Sequence, residues 1–468
     1  MQKYFHYFEQ SINNLLNFTI MAMRKKYLIP AIIFLLVVIA GAADPGQILT
    51  GKEAGNINTG DTAWMLVAAA LVLIMTPALG FFYGGMANSK NIISTVFQSV
   101  FMLGLISIVW VVFGFSLCFG DDIGGIIGNP LTFKMFQGVG LKPNELFSSS
   151  IPFVLFAMFQ LKFAIITPAL ITGSFAQRVK FSGYLTFSIL FFVFIYAPIC
   201  HMTWHPDGLL YKYGILDFAG GTVVHMSAGF AALAGAMFLG PRTESERTHE
   251  YANIPFVIIG TGLLWFGWFG FNAGSALGVN AKAANAFATT NTAAASAMVA
   301  WVLIDAMRGQ KISSIGACVG AVVGLVAITP ACGFVNVGES IAVGAIAAAV
   351  SNFAVHFKNK STLDDTLDVF PCHGVGGMVG MIMTGIFAAD YGTGLGPDSW
   401  GLAYGKFTTF THHMIGLVGI AAFAFLGSYA LYFITNKIEP MRVTTEEEEL
   451  GLDITQHGES YQSLRIDL

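Results

Sequence analysis

Residues 217–239 read DFAGGTVVHMSAGFAALAGAMFL, and this stretch decides the fold class. One acid opens it, one histidine interrupts it, and the rest is apolar or small. At 1.5 Å of rise per residue the run makes a helix of about 34 Å, enough to cross a hydrocarbon core of about 30 Å. Backbone groups in lipid must be satisfied within their own segment, so such a run is helical. The strands of a membrane β-barrel would alternate apolar and polar residues, and no alternation is visible here.

Ten further runs of the same kind surround it, near 62–86, 93–119, 151–175, 181–203, 253–273, 285–307, 312–331, 338–356, 373–389 and 408–435. The composition agrees. Of the 468 residues 55% are hydrophobic and only 11% are charged, against about 25% charged in a soluble domain. Roughly three soluble domains of this length could not be clothed in so few charges. The 53 glycines and 42 phenylalanines point to closely packed membrane helices. A net charge of −4 supplies no basic field for nucleic acid. The expected fold is therefore an all-α polytopic membrane protein with eleven transmembrane helices.

The flanks have their own character. Arg24-Lys25-Lys26, the apolar run Leu28 to Ile39 and the small residues up to Asp44 read as a signal peptide. A retained first membrane helix is the other reading, and Met21 or Met23 are candidate starts. This divides the chain into an upstream extension with signal peptide (1–43), a membrane domain (44–437) and an acidic tail (438–468). Alternate loops plus the tail carry twelve Lys and Arg, among them Lys90, Arg178, Arg242, Arg247, Lys358 and Arg465. The other loops carry six, including Lys52 and Lys212. The richer set is expected in the cytoplasm, with the mature N-terminus outside. The tail, with Glu446-Glu447-Glu448-Glu449, reads either as solvated chain or as a regulatory segment that docks on the cytoplasmic loops. Cys118, Cys200, Cys318, Cys332 and Cys372 lie in apolar runs without metal-finger spacing, and are expected as buried, unpaired thiols. No metal and no cofactor is expected. No His-Glu-x-x-His or Gly-x-Ser-x-Gly motif speaks for an enzyme.

Polar groups inside the apolar runs carry the functional information, because an ionisable side chain there is costly, from about 2.5 kcal/mol upward. They are Lys162, Asp217, His225 and the acids Asp364, Asp365 and Asp368 that lead into His373. Asp217 can cap the start of its helix or act directly in transport. Each half of the chain holds an acid, then a histidine, then small residues. Five helices per half is an odd number, so related halves would be inverted in the membrane, with a site between them. Either histidine can also be a hydrogen-bonded core residue. The aromatic residues of Phe159, Phe163, Trp204, Trp268 and Phe271 read as packing or as a site.

The run Asp217–His225 closely resembles the signature of the ammonium transporter (Amt/Mep/Rh) family. So do Gly80-Phe81-Phe82-Tyr83-Gly84-Gly85, Phe159-Gln160-Leu161-Lys162-Phe163-Ala164, and Gly267-Trp268-Phe269-Gly270-Phe271-Asn272-Ala273-Gly274-Ser275. Asp364-Asp365 through His373-Gly374, and the tail's Gly451-Leu452-Asp453 and His457-Gly458-Glu459, are similar too. The motifs run in family order from about residue 61 to 461. The resemblance implies a homotrimer in the inner (plasma) membrane, each protomer an inverted five-plus-five repeat with an extra C-terminal helix around its own pore. It implies that Trp204, Phe163 and Ser275 recruit ammonium outside, that Phe163 and Phe271 form a gate, and that His225 and His373 line the pore and relay protons. Asp217 would support the recruitment site. Trp204 and Ser275 favour the Amt branch, and a PII-type regulatory protein would meet the tail. Lys162 departs from the family pattern. It either snorkels outward, pairs with an acid, or points at the pore and repels ammonium. Ammonium sensing without conduction, signalled through the tail to a partner, is the alternative function.

Overall fold

A computed structural model describes residues 29–43, 56–244 and 251–461. Arg24, Lys25, Lys26 and Asp44 of the expected signal peptide, and the loop residues Lys52, Arg247 and Arg465, lie outside the described residues. The chain divides into two units at residues 49 and 50. In the first, Ile29–Ala43 forms an apolar helix, shorter than the roughly 20 residues a span requires.

The helices of the second unit are α1 (Thr59–Met86), α2 (Ile92–Phe119), α3 (Phe153–Phe175) and α4 (Phe181–Lys212, broken at 205–208). They continue with α5 (Gly221–Leu239), α6 (Ile254–Gly274), α7 (Ala281–Met307), α8 (Ser314–Ile328), α9 (Val337–Asn359), α10 (Phe370–Phe387) and α11 (Phe407–Ile438). Among the described residues ten helices are long and apolar enough to cross a membrane, and α8 is shorter. The run expected over 312–331 stays helical for only 15 residues. Ser313 accepts from the Gly316 N–H at its start, and Pro330, which has no N–H to donate, follows its end. All five cysteines are free and buried.

Several helix starts are capped by short polar side chains, which satisfy backbone N–H groups left open at a helix end. Asn58 accepts from Asp61 at 3.0 Å to open α1, and Asn253 accepts from Phe256 at 3.0 Å to open α6. Asn280 opens α7 in the same way, while Asn336 and Glu339 form a capping box on α9. The first helices of the two five-helix halves thus share one cap, and they pack along each other. The last helices of the halves, α5 and α10, also meet. The first and the last helix of each half therefore meet their counterparts, as helices near the axis of an inverted repeat do.

Glycine makes these contacts close. A Cβ on Gly260 would stand 2.6 Å from the Phe82 backbone nitrogen, and one on Gly270 2.8 Å from the Ala68 carbonyl oxygen, so α6 lies directly on α1. Gly229 of α5 sits against Gly374 of α10, where an added Cβ would meet the Gly374 nitrogen at 2.1 Å. Small-residue seams of this kind let helices gain van der Waals contact where lipid supplies no hydrophobic drive.

Between α2 and α3 the chain leaves the bundle. It forms a short antiparallel hairpin, Asp122–Ile123 against Ile127–Gly128, and a loop anchored on Phe115, Phe119, Phe147, Phe153 and Phe156. At the opposite end the tail does not run free into solvent. Val179 bridges Arg442, a short helix α12 (Thr445–Leu450) follows, and buried Glu448 accepts from Thr243 N–H at 2.7 Å and from Arg442 at 3.0 Å. Asp453 accepts from the N–H groups of Ile93 at 3.1 Å and Ser94 at 2.8 Å, capping α2 from a distance in sequence. Burial raises its carboxyl above the ordinary carboxylate range.

Because the Gly229 seam leaves no room for a side chain, Gly229→Val is expected to abolish monodisperse protein in gel filtration of the detergent extract. Gly262→Val, with nothing within 4 Å of its Cβ, is expected to elute like wild type.

Candidate functional site

Asp217 precedes α5 and sets its first turn. Its carboxylate accepts from the N–H groups of Gly220, Gly221 and Thr222, each at 2.7 Å, and from the Thr222 hydroxyl. The turn it caps, Gly221–Met226, is wound as a wide π-helix and carries His225. Asp365 does the same for α10, accepting from Val369 at 3.1 Å and Phe370 at 2.7 Å ahead of the π-helical turn Phe370–Val375 with His373. The acid and the histidine stand eight residues apart in both halves (225 − 217 and 373 − 365). That equality was readable in the sequence, where Asp365 had not been separated from Asp364 and Asp368. π-helical turns inside α-helices concentrate at functional positions, because the extra residue re-aims the side chains around it.

The two caps bring the histidines together. His225 and His373 are buried, with Nδ1 to Nδ1 3.3 Å and ring centroids 5.4 Å apart. On the far side His225 Nε2 lies 3.3 Å from the Thr329 hydroxyl, which accepts from Trp268 Nε1 at 3.0 Å and donates to Leu325 O at 2.8 Å. Trp268 stacks with His225 at 5.4 Å and Phe271 at 6.0 Å, the two aromatic rings themselves standing 5.6 Å apart. A cavity of about 10 Å³ borders both histidines, walled otherwise by Leu79, Ile166, Leu264 and Phe271 among other apolar side chains. That is room for about one water-sized molecule. A second void of about 10 Å³ continues past His373 beside Tyr83 and Val369.

On the hairpin side Phe163 closes the column. Its ring stands 4.2 Å from Phe271, 5.7 Å from Trp204 and 5.0 Å from Phe159. Trp204 donates Nε1–H to the Asp217 carbonyl at 3.0 Å, so the helix-capping acid also positions this indole through its own backbone. Above Phe163 opens a cavity of about 220 Å³ that both Trp204 and Ser275 line. The Ser275 hydroxyl donates to Phe271 O at 2.9 Å, which leaves its oxygen free to accept. Gln160 lines the same cavity, and its Oε1 is buried without a hydrogen-bond partner. Trp268 stands among the aromatic residues read as packing or as a site, whereas Gln160 and Thr329 carry no such signal: Gln160 lies inside a quoted motif and Thr329 in an apolar run.

On the tail side a cavity of about 550 Å³ is lined by Arg242, Lys358, Asp364 and Asp368. Asp364 accepts from Arg242 Nε and NH2, both at 2.9 Å, and from its backbone N–H at 2.7 Å. Those partners outweigh burial and hold its carboxyl down to about 2. Burial pushes its neighbour Asp365 up to about 6 against the pull of Lys358, whose ammonium donates to Asp365 O at 2.8 Å and pairs with Asp368 at 2.6 Å. Buried Arg178, drawn down to about 10 by desolvation, donates to Thr366 at 2.7 Å and to Asp364 O at 2.6 Å. These groups tie the α3–α4 loop, the end of α5 and the approach to α10 into one ionic lattice.

Lys162 is 8% exposed, and among the described residues no acid pairs with it and no hydrogen bond holds it. It lines neither the cavity at Trp204 and Ser275 nor the one at the histidines. The pairing expectation therefore fails among the described residues: no carboxylate reaches α3 at this level.

A sequence model described as the Ammonium Transporter Family matches residues 63–462. The ammonium transporter of Bacillus subtilis is 43% identical over 405 residues, spanning 86% of this chain and 98% of that protein. That of Aquifex aeolicus is 44% identical over 411 residues, spanning 87% and 95%. Among solved structures, Mep2 of Saccharomyces cerevisiae superposes with a TM-score of 0.78 at 32% identity, covering 84% of this chain and 89% of that one. A protein titled Sensor Amt Protein superposes with a TM-score of 0.77 at 29% identity, covering 85% and 98%.

Two outcomes follow from this geometry. Removing a buried unpaired cation relieves desolvation, so Lys162→Met is expected to melt at a higher temperature than wild type and to take up methylammonium equally well. A large gain in uptake would mean that the lysine blocks the path. Asp364 has a lowered carboxyl, so its stabilisation is present above about pH 4 and lost as pH falls toward about 2. Asp364→Asn is expected to melt earlier at pH 7 and to lose that acid-range decline.

Proposed function

The chain belongs to the ammonium transporter family, and on that premise we propose that it recruits ammonium at the aromatic cavity, deprotonates it and conducts ammonia past His225 and His373. The observation that carries this reading is the order of the column: a cation-attracting cavity, a closed aromatic pair, then an apolar void of about 10 Å³ whose polar borders are two imidazoles.

An ammonium ion entering the outer cavity exchanges water for the face of Trp204, worth about 0.5–2 kcal/mol, and for the accepting oxygen of Ser275. Phe163, 5.7 Å from Trp204, does not line the cavity but closes the way beyond it. Asp217 contributes by holding Trp204 and the first turn of α5. Beyond Phe163 and Phe271 the walls are apolar, and a charged species there pays the full desolvation cost. The neutral molecule passes, and the proton takes a separate course through the histidines.

Hydrogen-bond arithmetic supports a relay. The Thr329 hydroxyl spends its only proton on Leu325 O and already accepts from Trp268, so toward His225 Nε2 it offers an acceptor. His225 then carries its proton on Nε2, accepts at Nδ1 from His373, and leaves His373 Nε2 as a lone pair on the tail side. The pair is thereby polarised along the column, and inward transfer starts from the reversed tautomers. His225 Nε2 takes a proton, its Nδ1–H passes to His373 Nδ1, and His373 Nε2–H is released on the tail side, which restores the polarised pair.

The protein is proposed to work as a homotrimer in the plasma membrane with its hairpin side outside and its tail in the cytoplasm, supported by the twelve-to-six division of loop bases. The docked acidic tail is the surface proposed for a PII-type regulatory partner. Sensing without conduction is the second reading, favoured by the likeness to the protein titled Sensor Amt Protein.

In proteoliposomes, ammonium pulses are expected to evoke a transient current; a protein that binds ammonium without current would be a sensor. Replacing both His225 and His373 with Leu is expected to abolish that current or change the charge moved per ammonium taken up. An unaltered ratio of charge to uptake would remove the histidines from the proton path.

A further inference from the structure

The outer cavity is far larger than its proposed substrate requires. Ammonium has one heavy atom and the size of a water molecule, for which a void of about 10–15 Å³ suffices, whereas this cavity holds about 220 Å³. Its walls are aromatic on several sides: Phe119, Phe147, Phe156, Trp204, Tyr211 and Phe218. Among the described residues no acid lines it, and its polar side-chain atoms belong to Gln160, Ser275, Trp204 and Tyr211. A compact ion with four N–H donors finds few acceptors there. A quaternary ammonium ion has no N–H to orphan, holds its water weakly and spreads its charge over methyl groups that pack on ring faces. Aromatic cages recognise such ions for that reason. The floor is closed to them, since Phe163 and Phe271 stand 4.2 Å apart and only about 10 Å³ lies beneath.

We propose that the outer cavity is a binding site for small quaternary ammonium ions, which occupy it without passing and exclude ammonium while bound. This rests on the reading of that cavity as the place of ammonium recruitment. Occupancy is set by cage walls beyond the recruiting residues, chiefly Tyr211 and Leu146, which are 53% and 56% exposed at the rim.

The test titrates the full-length protein in detergent with tetramethylammonium chloride, read by tryptophan fluorescence, against sodium chloride at equal ionic strength. The same ion is then added to proteoliposomes before ammonium pulses. Saturable binding beyond the sodium control is expected, with no current from tetramethylammonium itself and a competitive loss of ammonium current. Tyr211→Ser is expected to weaken binding about 2- to 30-fold, as one cation–π wall is removed. Leu146→Trp, which crowds the rim, is expected to weaken it as well; both rim residues are exposed, so the fold is retained. Ammonium current that persists while tetramethylammonium fails to bind, or binding indifferent to both variants, overturns the proposal. So does a current carried by tetramethylammonium. Binding without any ammonium current leaves the cage standing and removes the transport reading instead. Absence of both overturns both.

Discussion

Two carboxylates hold the centre of this molecule. Asp217 and Asp365 each collect the unpaired backbone N–H groups at the start of a helix whose first turn is over-wide. In a hydrocarbon environment those donors have no water to turn to, and leaving them unmade costs several kcal/mol per group. The caps therefore allow π-helical turns to exist inside the bundle, and the turns aim His225 and His373 at each other. Trp204 is placed by the same residue, since it hangs on the Asp217 carbonyl. Remove the capped turns and the aromatic cavity on the hairpin side, the closed ring pair and the histidines lose their common axis.

The glycine seams serve that geometry. Gly229 against Gly374 brings α5 and α10 within backbone contact, which sets the Nδ1 to Nδ1 distance at 3.3 Å. Larger residues would separate the imidazoles by more than a hydrogen bond. The ionic lattice of Arg178, Arg242, Asp364 and Lys358 fixes the approach to α10 from the tail side. The tail is joined to the lattice by its bridge at Val179 and by Glu448 beside Thr243. A movement of the tail thus has a continuous set of polar contacts through which to reach Asp365.

Legibility differed by kind of residue. Apolar run length exposed the membrane helices because the hydrocarbon thickness imposes it on every segment. The eighth run was overestimated, since hydropathy does not register that Pro330 and the capping Ser313 cut the helix to 15 residues. Asp217, His225 and His373 were conspicuous because polar groups in lipid are rare. Thr329 and Gln160 were not, because a hydroxyl or an amide in an apolar run is common and becomes meaningful only when its partners are known. Lys162 was conspicuous and yet its setting was not readable, because a helix pattern does not tell that among the described residues no acid pairs with it.

By itself the sequence determined the class of the protein, its helical segments, the polar residues buried within them and the family signature, all properties of a residue and its near neighbours. Tertiary structure alone decided that residues 148 positions apart share a proton-bearing contact, that Thr329 stands behind His225, and that the tail caps α2. Those facts depend on which helices cross at which glycine, and close packing resolves them to a few tenths of an ångström. A linear pattern carries the period of a helix face but not the distance to what faces it.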